Sequence, residues 1–447
     1  MSDLLSIGAS GVRAYQSAMT TVSENIANVG TTGYARRSTD LSEISAAESF
    51  RTRSVLSGQG VSINGISRAA DPFRSAEVRS AQSDLSRTST GVATLERIDS
   101  SLTDYQLSDR LTAFFAAAKS VAADPSATGP RAAMLESAQG VASAFAGSGR
   151  ALDAAANEID THAKQSLDQL NQLTGALAKV NSSLGRTAAD NSGHAQLLDE
   201  RDRILESMSK ITDISVDIDT AGRASVRGGG SAGPMLVQGD IASTVSYSRN
   251  ATGAVSLAVS RLGTTSALTP TGGELAGIVD GAQRIAAASE QLDTIAKDFV
   301  DGINAVQAGG NDLSGNPGAA MFAMSGGAST MTMPMTDPGA IAAAGPSGGA
   351  RDNSNVANLD AFRTSGNIEN RITDLVTDNA SALSGRRAVS DVQTAIKDKA
   401  TAARDSVAGV NLDEEAVDLL RFQQAYQASS RVIQVARESL QSLLNIG

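Results

Sequence analysis

Residues 409–444 read GVNLDEEAVDLLRFQQAYQASSRVIQVARESLQSLL. Leu419, Phe422, Tyr426, Ser429, Ile433, Ala436, Leu440 and Leu443 recur at spacings of three and four, the heptad seam of an amphipathic helix. Asn411 with Glu414 three residues later makes a capping-box-like start. Asp413, Glu414 and Glu415 place negative charge where the helix dipole favours it. The other end of the chain repeats the pattern with Leu5, Gly8, Val12, Tyr15, Met19, Val22, Ile26 and Val29, closed by Gly30 in the turn VGTTG. Gly8 and Gly11 each cost this helix about 1 kcal/mol relative to Ala, so it is marginal alone and calls for a partner. The expected arrangement pairs the N- and C-terminal helices as a coiled coil.

Working inward, Asp71-Pro72 caps a helix through Val78, Leu85, Leu95 and Leu102, and a second follows through Phe114 and Phe115 to Asp124-Pro125. A long apolar stripe runs from about Arg131 to Leu184, with Gly147 and Gly149 as candidate bends. After a turn at Asp190–Gly193, Leu197 to Met208 reads as a returning helix. The period then changes to two: Ile214, Val216 and Ile218 alternate with Ser215, Asp217 and Asp219, and short strands continue between glycine-rich turns to Leu268. Helix resumes over 273–306 and again from about Leu359 to Val407.

The fold class expected is mainly α with a β insertion (α+β). Residues 1–35 and 409–447 form the terminal coiled-coil domain, and 36–212, 269–310 and 351–408 a helical bundle domain. Residues 213–268 form a small antiparallel β-subdomain, and 311–350 a flexible Gly/Ala/Met-rich loop.

Composition removes chemistries. The chain has 447 residues with 37 Lys plus Arg against 48 Asp plus Glu, a formal charge of −11, which argues against nucleic acid or anionic membrane as the main partner. Only 3% of residues are aromatic and none is Trp, so stacking platforms for single-stranded nucleic acid are missing. There is no Cys and there are two His, His162 and His194, which excludes thiolate chemistry and nearly excludes imidazole chemistry. No segment reaches the roughly 18 apolar residues of a membrane helix, and the start lacks the pattern of a cleaved signal.

Four letter matches fail on context. Gly228-x-Gly230-x-x-Gly233 is followed by Pro234 and a short strand rather than a helix. Gly345-x-Ser347-x-Gly349 lies in a low-complexity stretch with both histidines before it. Asp217-x-Asp219 lacks the later ligands of a calcium loop, and His194 with Asp199, Glu200 and Asp202 reads as a solvated charged helix face rather than a metal site. No catalytic, cofactor-binding or metal-binding residue is assigned, and an enzyme is not expected.

SENIANVGTTGYARR, residues 23–37, resembles the N-terminal signature of bacterial flagellar rod, hook and hook-associated proteins, and 409–444 resembles their C-terminal signature. LLDERD, residues 197–202, is similar to a string of the flagellar hook-associated protein 1 family, as are DPGAIAAA, 337–344, and DNSNVANL, 352–359. The large outer β-domains of longer members have no room between Asn311 and Asp352.

The resemblance implies a structural protein of the extracellular flagellum, exported unfolded through the flagellar type III apparatus without a cleaved signal peptide and assembled as a hook–filament junction ring. It implies as partners further copies of the chain, the hook protein, a second junction protein, the export apparatus and a cytoplasmic chaperone at the C-terminal helix. The residues that would carry assembly are the two seams: Leu5, Val12, Tyr15, Met19, Val22 and Ile26, with Leu419, Phe422, Tyr426, Ile433, Leu440 and Leu443. Asn25, Asn28, Gly30 and Gly33 shape the first turn, and Gln423, Gln424 and Gln427 offer polar contacts. The rival readings are a hook or rod protein, or a cytoplasmic coiled-coil interaction module.

Overall fold

The computed structural model describes residues 2–31, 33–44, 60–189, 191–250 and 253–444. Thr32, Asp190 and the side chain of Leu443 lie outside what it describes. The order is α1 (Ser2–Ala27), β1 (Arg37–Glu43), β2 (Val61–Arg68), α2 (Pro72–Thr103), α3 (Leu107–Ala123), α4 (Thr128–Leu184) and α5 (Ser192–Ile211). Seven short strands follow: β3 (Ile214–Ile218), β4 (Ala224–Gly228), β5 (Met235–Gln238), β6 (Ile241–Ala242), β7 (Thr244–Arg249), β8 (Val255–Arg261) and β9 (Thr264–Leu268). The chain closes with α6 (Gly273–Ala308), α7 (Asn358–Gly366), α8 (Ile368–Ala408) and α9 (Leu412–Leu444). The architecture is mainly helical with small antiparallel sheets, as the change of period indicates.

Local chemistry sets the helix starts. The Asp71 carboxylate accepts from the backbone N–H groups of Phe73 and Arg74, with Pro72 supplying the fixed φ of the first turn. Asn191 accepts from the His194 N–H at the start of α5. The longest helix, α4, has 57 residues and continues through Gly147 and Gly149, where the sequence suggested bends. Both glycines serve close packing instead. A Cβ on Gly147 would stand 2.4 Å from the Tyr105 ring, and one on Gly149 would stand 2.4 Å from the backbone N of Ser329. Gly149→Ala is therefore expected to destabilise by about 1–3 kcal/mol through overpacking against backbone that cannot yield. A urea titration checks this, with Gly175→Ala, which meets nothing within 4 Å, unchanged or slightly more stable.

The core of the helical body gathers Phe114, Phe115, Phe145, Phe299 and Phe322, with ring centroids from 5.2 to 6.4 Å apart. Phe322 belongs to the segment 311–350, expected to be a flexible loop. That segment has irregular backbone but is packed: Met321, Phe322, Met331, Met335 and Ile341 are buried. Side chains of the surrounding helices satisfy its backbone. The Asn304 amide accepts from the N–H groups of Met321 and Phe322 and donates to the Phe322 carbonyl. Arg131, 1% exposed, donates to the carbonyls of Pro125, Pro338, Gly339 and Ile341. Low complexity signalled a loop, whereas the methionines fill gaps in the aromatic core.

The β-subdomain is two antiparallel sheets, one of order β3-β4-β5-β6 and one of order β7-β8-β9. Two asparagines of α4 fasten it. Asn181 accepts from the Ala224 N–H and donates to the carbonyls of Ala224 and Gly239, and Asn171 pairs with both backbone groups of Val245. Gly229 and Gly230 adopt φ of 75° and 86° in the turn between β4 and β5, so the glycine fingerprint is a hairpin turn. Asp219 accepts from the N–H groups of Ala221 and Arg223 and forms the turn between β3 and β4.

His162 on α4 lies 2.7 Å from Glu274 in the first turn of α6. The hydrogen bond from His162 to Glu274 and the carboxylate's charge raise the histidine above its ordinary value. Burial pushes Glu274 up, but the His162 contacts outweigh it and hold the carboxyl below the usual range. The raised histidine contributes stability that is present below about pH 6.5 and lost as pH rises through its folded value. The depressed carboxyl contributes above about pH 4.3, lost as pH falls. The pair thus stabilises most between these limits. His162→Gln is expected to flatten the decline of unfolding midpoint between pH 6 and 8, and an unchanged slope would contradict the pairing.

Candidate assembly surface

α1 and α9 pack antiparallel. Gly8 stands against Ile433, with a Cβ only 2.6 Å from its Cγ1, and Gly11 stands against Ser429. Tyr15 stacks on Phe422 with centroids 6.4 Å apart, and Asn25 meets Glu415. The glycines that weaken an isolated α1 are what let α9 approach. On its other side α1 carries the β1/β2 hairpin, through Thr21–Thr39 and through Ser10, whose hydroxyl accepts from the Val61 N–H. That antiparallel strand pair, Arg37–Glu43 with Val61–Arg68, corrects the sequence reading, which placed these residues in the helical bundle. Its strands are polar and carry no clean period-two alternation.

Among the expected seam residues, Val22 is buried, whereas Leu5, Val12, Tyr15, Met19 and Ile26 on α1 and Leu419, Phe422, Tyr426 and Ile433 on α9 are half-buried. The tightest part of the contact is made by small residues, Gly8, Gly11 and Ala436, with the large apolar side chains along its edges. Leu440 is 40% exposed, because the antiparallel register that sets Gly8 beside Ile433 leaves α1 ending just as α9 reaches it. Gln423, Gln424 and Gln427 are exposed.

The first turn is a junction of hydrogen bonds. Asn25, 1% exposed, accepts from the Tyr34 hydroxyl at 2.8 Å and the Arg37 N–H at 3.0 Å. It donates to the Arg37 carbonyl at 2.8 Å and the Glu415 carboxylate at 2.9 Å, so its amide is fully used. Fully buried Glu415 also accepts from Arg36 at 2.6 Å. Burial above all pushes the Tyr34 hydroxyl up to about 12, so it stays a donor. Gly30 and Gly33, with φ of 75° and 82°, turn the chain back toward β1. Asn28, just past the end of α1, donates its side-chain amide to the Glu24 carbonyl.

Three arginines and two aspartates clamp this terminal unit to the helical body. Arg37 and Arg68 face each other in the β1/β2 register, and both reach Asp199, at 2.7 and 2.6 Å. Arg68 also meets Asp202 at 2.8 Å, and Asp202 holds Arg201 at 2.7 Å. The Arg37 side chain is 3% exposed and that of Asp199 is 13%. The LLDERD helix is therefore not a solvated charged face, since two of its acids form a largely buried ionic clamp. Glu200 alone of the three matches the expectation, pairing with Arg203 at the surface. Sequence reasoning missed Arg36, Arg37 and Arg68 and read Glu415 only as a helix-dipole charge, because their partners lie far away in the chain. Among the described residues no group of His, Asp and Glu could hold a metal ion, and no helix is long and apolar enough to cross a membrane.

Helices α1 and α9, from the two ends of the chain, pair beside the helical body, and a family model matches the sequence of each. Residues 5–34 match the flagella basal body rod protein model, and 405–446 match the C-terminal model of the flagellar basal body rod FlgEFG proteins. Between them, residues 73–322 match the helical domain of flagellar hook-associated protein FlgK, and the chain belongs to that family. Flagellar hook-associated protein 1 of Salmonella typhimurium is 27% identical over 72% of this chain, which spans 60% of that relative's length. The protein of the same name from Bacillus subtilis is 23% identical over 97% of this chain and 96% of its own. The structure of the flagellar hook junction protein FlgK from Burkholderia pseudomallei superposes with a TM-score of 0.67 at 16% identity, over 74% of this chain and all of that one, a likeness of fold.

Proposed function

We propose that this chain is a structural subunit of the junction between hook and filament, exported to the cell exterior and assembled there through its terminal helices. The observation that carries the reading is the incomplete burial of the α1/α9 rod. Nine seam side chains remain half-buried within one chain, and neighbouring copies would supply the missing side. The FlgK-type helical body favours a junction role over the hook or rod alternative. The absence of Cys suits a chain that is unfolded for export, because no disulfide can trap it. The outward side of α9, with Val417 and Leu420 66% and 60% exposed, suits a chaperone that holds the C-terminal segment before export.

A deletion strain tests the proposal: complete hooks without attached filaments are expected, with the protein recovered from the medium of a filament-defective strain. Distribution along the whole hook, or retention in the cytoplasm of an export-competent strain, would overturn it. Leu420→Asp is expected to leave the monomer's unfolding free energy, from urea titration, within about 0.5 kcal/mol of the parent, as at other exposed positions, while preventing incorporation. A large loss of monomer stability would place this side chain in an intramolecular core.

A further inference from the structure

The second half of α8 carries an outward surface with no cover among the described residues. Ala388, Ala395 and Ala402, one heptad apart, form an exposed ridge. Along one flank stand Val389, Val392 and Ile396, 47, 60 and 53% exposed. Along the other stand Asp391, Asp398 and Asp405, again one heptad apart and exposed. Asp398 and Asp405 meet only their chain neighbours Lys397 and Arg404 among the described residues, in surface pairs that hold weakly.

A second uncovered face lies on α9. Val417, Leu420, Val432 and Val435 share one side of the helix, 66, 60, 38 and 59% exposed. Arg421 and Arg431 stand beside them, exposed and in no ion pair among the described residues. From Val389 to Val407 and from Val417 to Val435 the two faces have equal lengths, about 27 Å at 1.5 Å per residue.

Resting on the assembly reading above, we infer that the outward face of α9 in one copy docks on the alanine ridge of α8 in a second copy. The ridge of small residues lets a helix approach closely, the aliphatic flank meets Leu420 and the valines, and the aspartate flank receives arginine. The same chain cannot make this contact. Arg36 ties α9 through Glu415, its backbone N–H holds the Ala408 carbonyl, and the link between the helices is only Gly409 to Asn411. Two α8 faces would bring aspartate ladders together, and two α9 faces would bring arginines together, so like pairs are disfavoured. Phe73 and Leu262, although 68% and 77% exposed, are isolated side chains rather than faces. Because the contact joins two different surfaces, it propagates from copy to copy and closes into a ring or continues as a helical array.

Since the chain has no Cys, single-cysteine variants of the full chain, Ala395→Cys and Ala428→Cys, can be mixed and oxidised at concentrations where the parent associates by sedimentation velocity. The mixed dimer is expected to dominate. Asp391→Arg with Asp398→Arg should weaken association about tenfold, the worth of two exposed ion pairs. Arg421→Asp with Arg431→Asp in the same chain should restore it, and unfolding midpoints report that the variants fold. Association with like dimers only, with no cross-link, or with no rescue overturns the pairing and leaves the junction role standing. A chain that stays monomeric and is missing from the flagellar fraction overturns both.

Discussion

Asp199→Ala is expected to destabilise the protein by about 3–5 kcal/mol, a large effect for a residue far from the aromatic core. Its carboxylate serves Arg37 at 2.7 Å and Arg68 at 2.6 Å. Without it, Arg37, whose side chain is 3% exposed, keeps the Tyr34 ring 4.8 Å from its guanidinium but, as counter-ion among the described residues, only Glu24 at the longer 3.4 Å. A buried guanidinium without a close counter-ion carries its desolvation cost uncompensated, which is why removing one partner costs more than the pair contributes. Glu200→Ala, one residue along and pairing with Arg203 at the surface, should change stability by about 0.5 kcal/mol or less. Urea titrations of the two variants separate a clamp from a charged surface, and equal small effects would return Asp199 to the solvated face expected from sequence. Hydrogen exchange should also show the amides of β1 and β2 losing protection before those of α4, because the clamp holds the hairpin against α5.

Arg131→Met is expected to cost about 3–5 kcal/mol and to loosen the segment 311–350 selectively. The guanidinium donates to four backbone carbonyls, three of them at 338–341, where the chain has no regular ladder of its own. Methionine preserves much of the volume but strands those acceptors, and each buried acceptor left unmade costs about 1–3 kcal/mol. Arg131→Lys should recover a minor part, because an ammonium cannot span acceptors placed for a planar fork. Amide exchange across 338–344 together with the urea midpoint checks this, and a loss of stability spread evenly over the helices would contradict the stapling role.

Much of the helical body was legible in the sequence because helices advertise themselves locally. Asp71-Pro72 marks the start of α2, the stripe from Arg131 to Leu184 marks α4, and the change to period two at Ile214 marks the β-subdomain. These signals rest on neighbours within one or two turns. The β1/β2 hairpin was not legible, because polar strands such as RSTDLSE show no alternation and bury little. Nor was the packing of 311–350. A segment held by Asn304, Arg131 and Asn355, none of them its own, carries few of its own reasons for order, so its composition reads as a loop.

The terminal site divides along the same line. By itself the sequence determined that both ends are amphipathic helices with heptad seams and that glycines at 30 and 33 turn the chain; Asn25, expected in that turn, lies in the last turn of α1. Only the tertiary structure decided that small residues rather than large ones make the closest α1/α9 contact, leaving Leu5, Met19, Tyr426 and Ile433 half-buried at its edges. It also decided that Asn25 joins the two ends through Glu415, and that Asp199 and Asp202 are a clamp rather than surface charge. The physical reason is range. Periodicity and capping act between residues a few positions apart, whereas Asn25 and Glu415 are separated by 390 positions and Arg37 and Asp199 by 162. Which charges meet is settled only when the helices have packed.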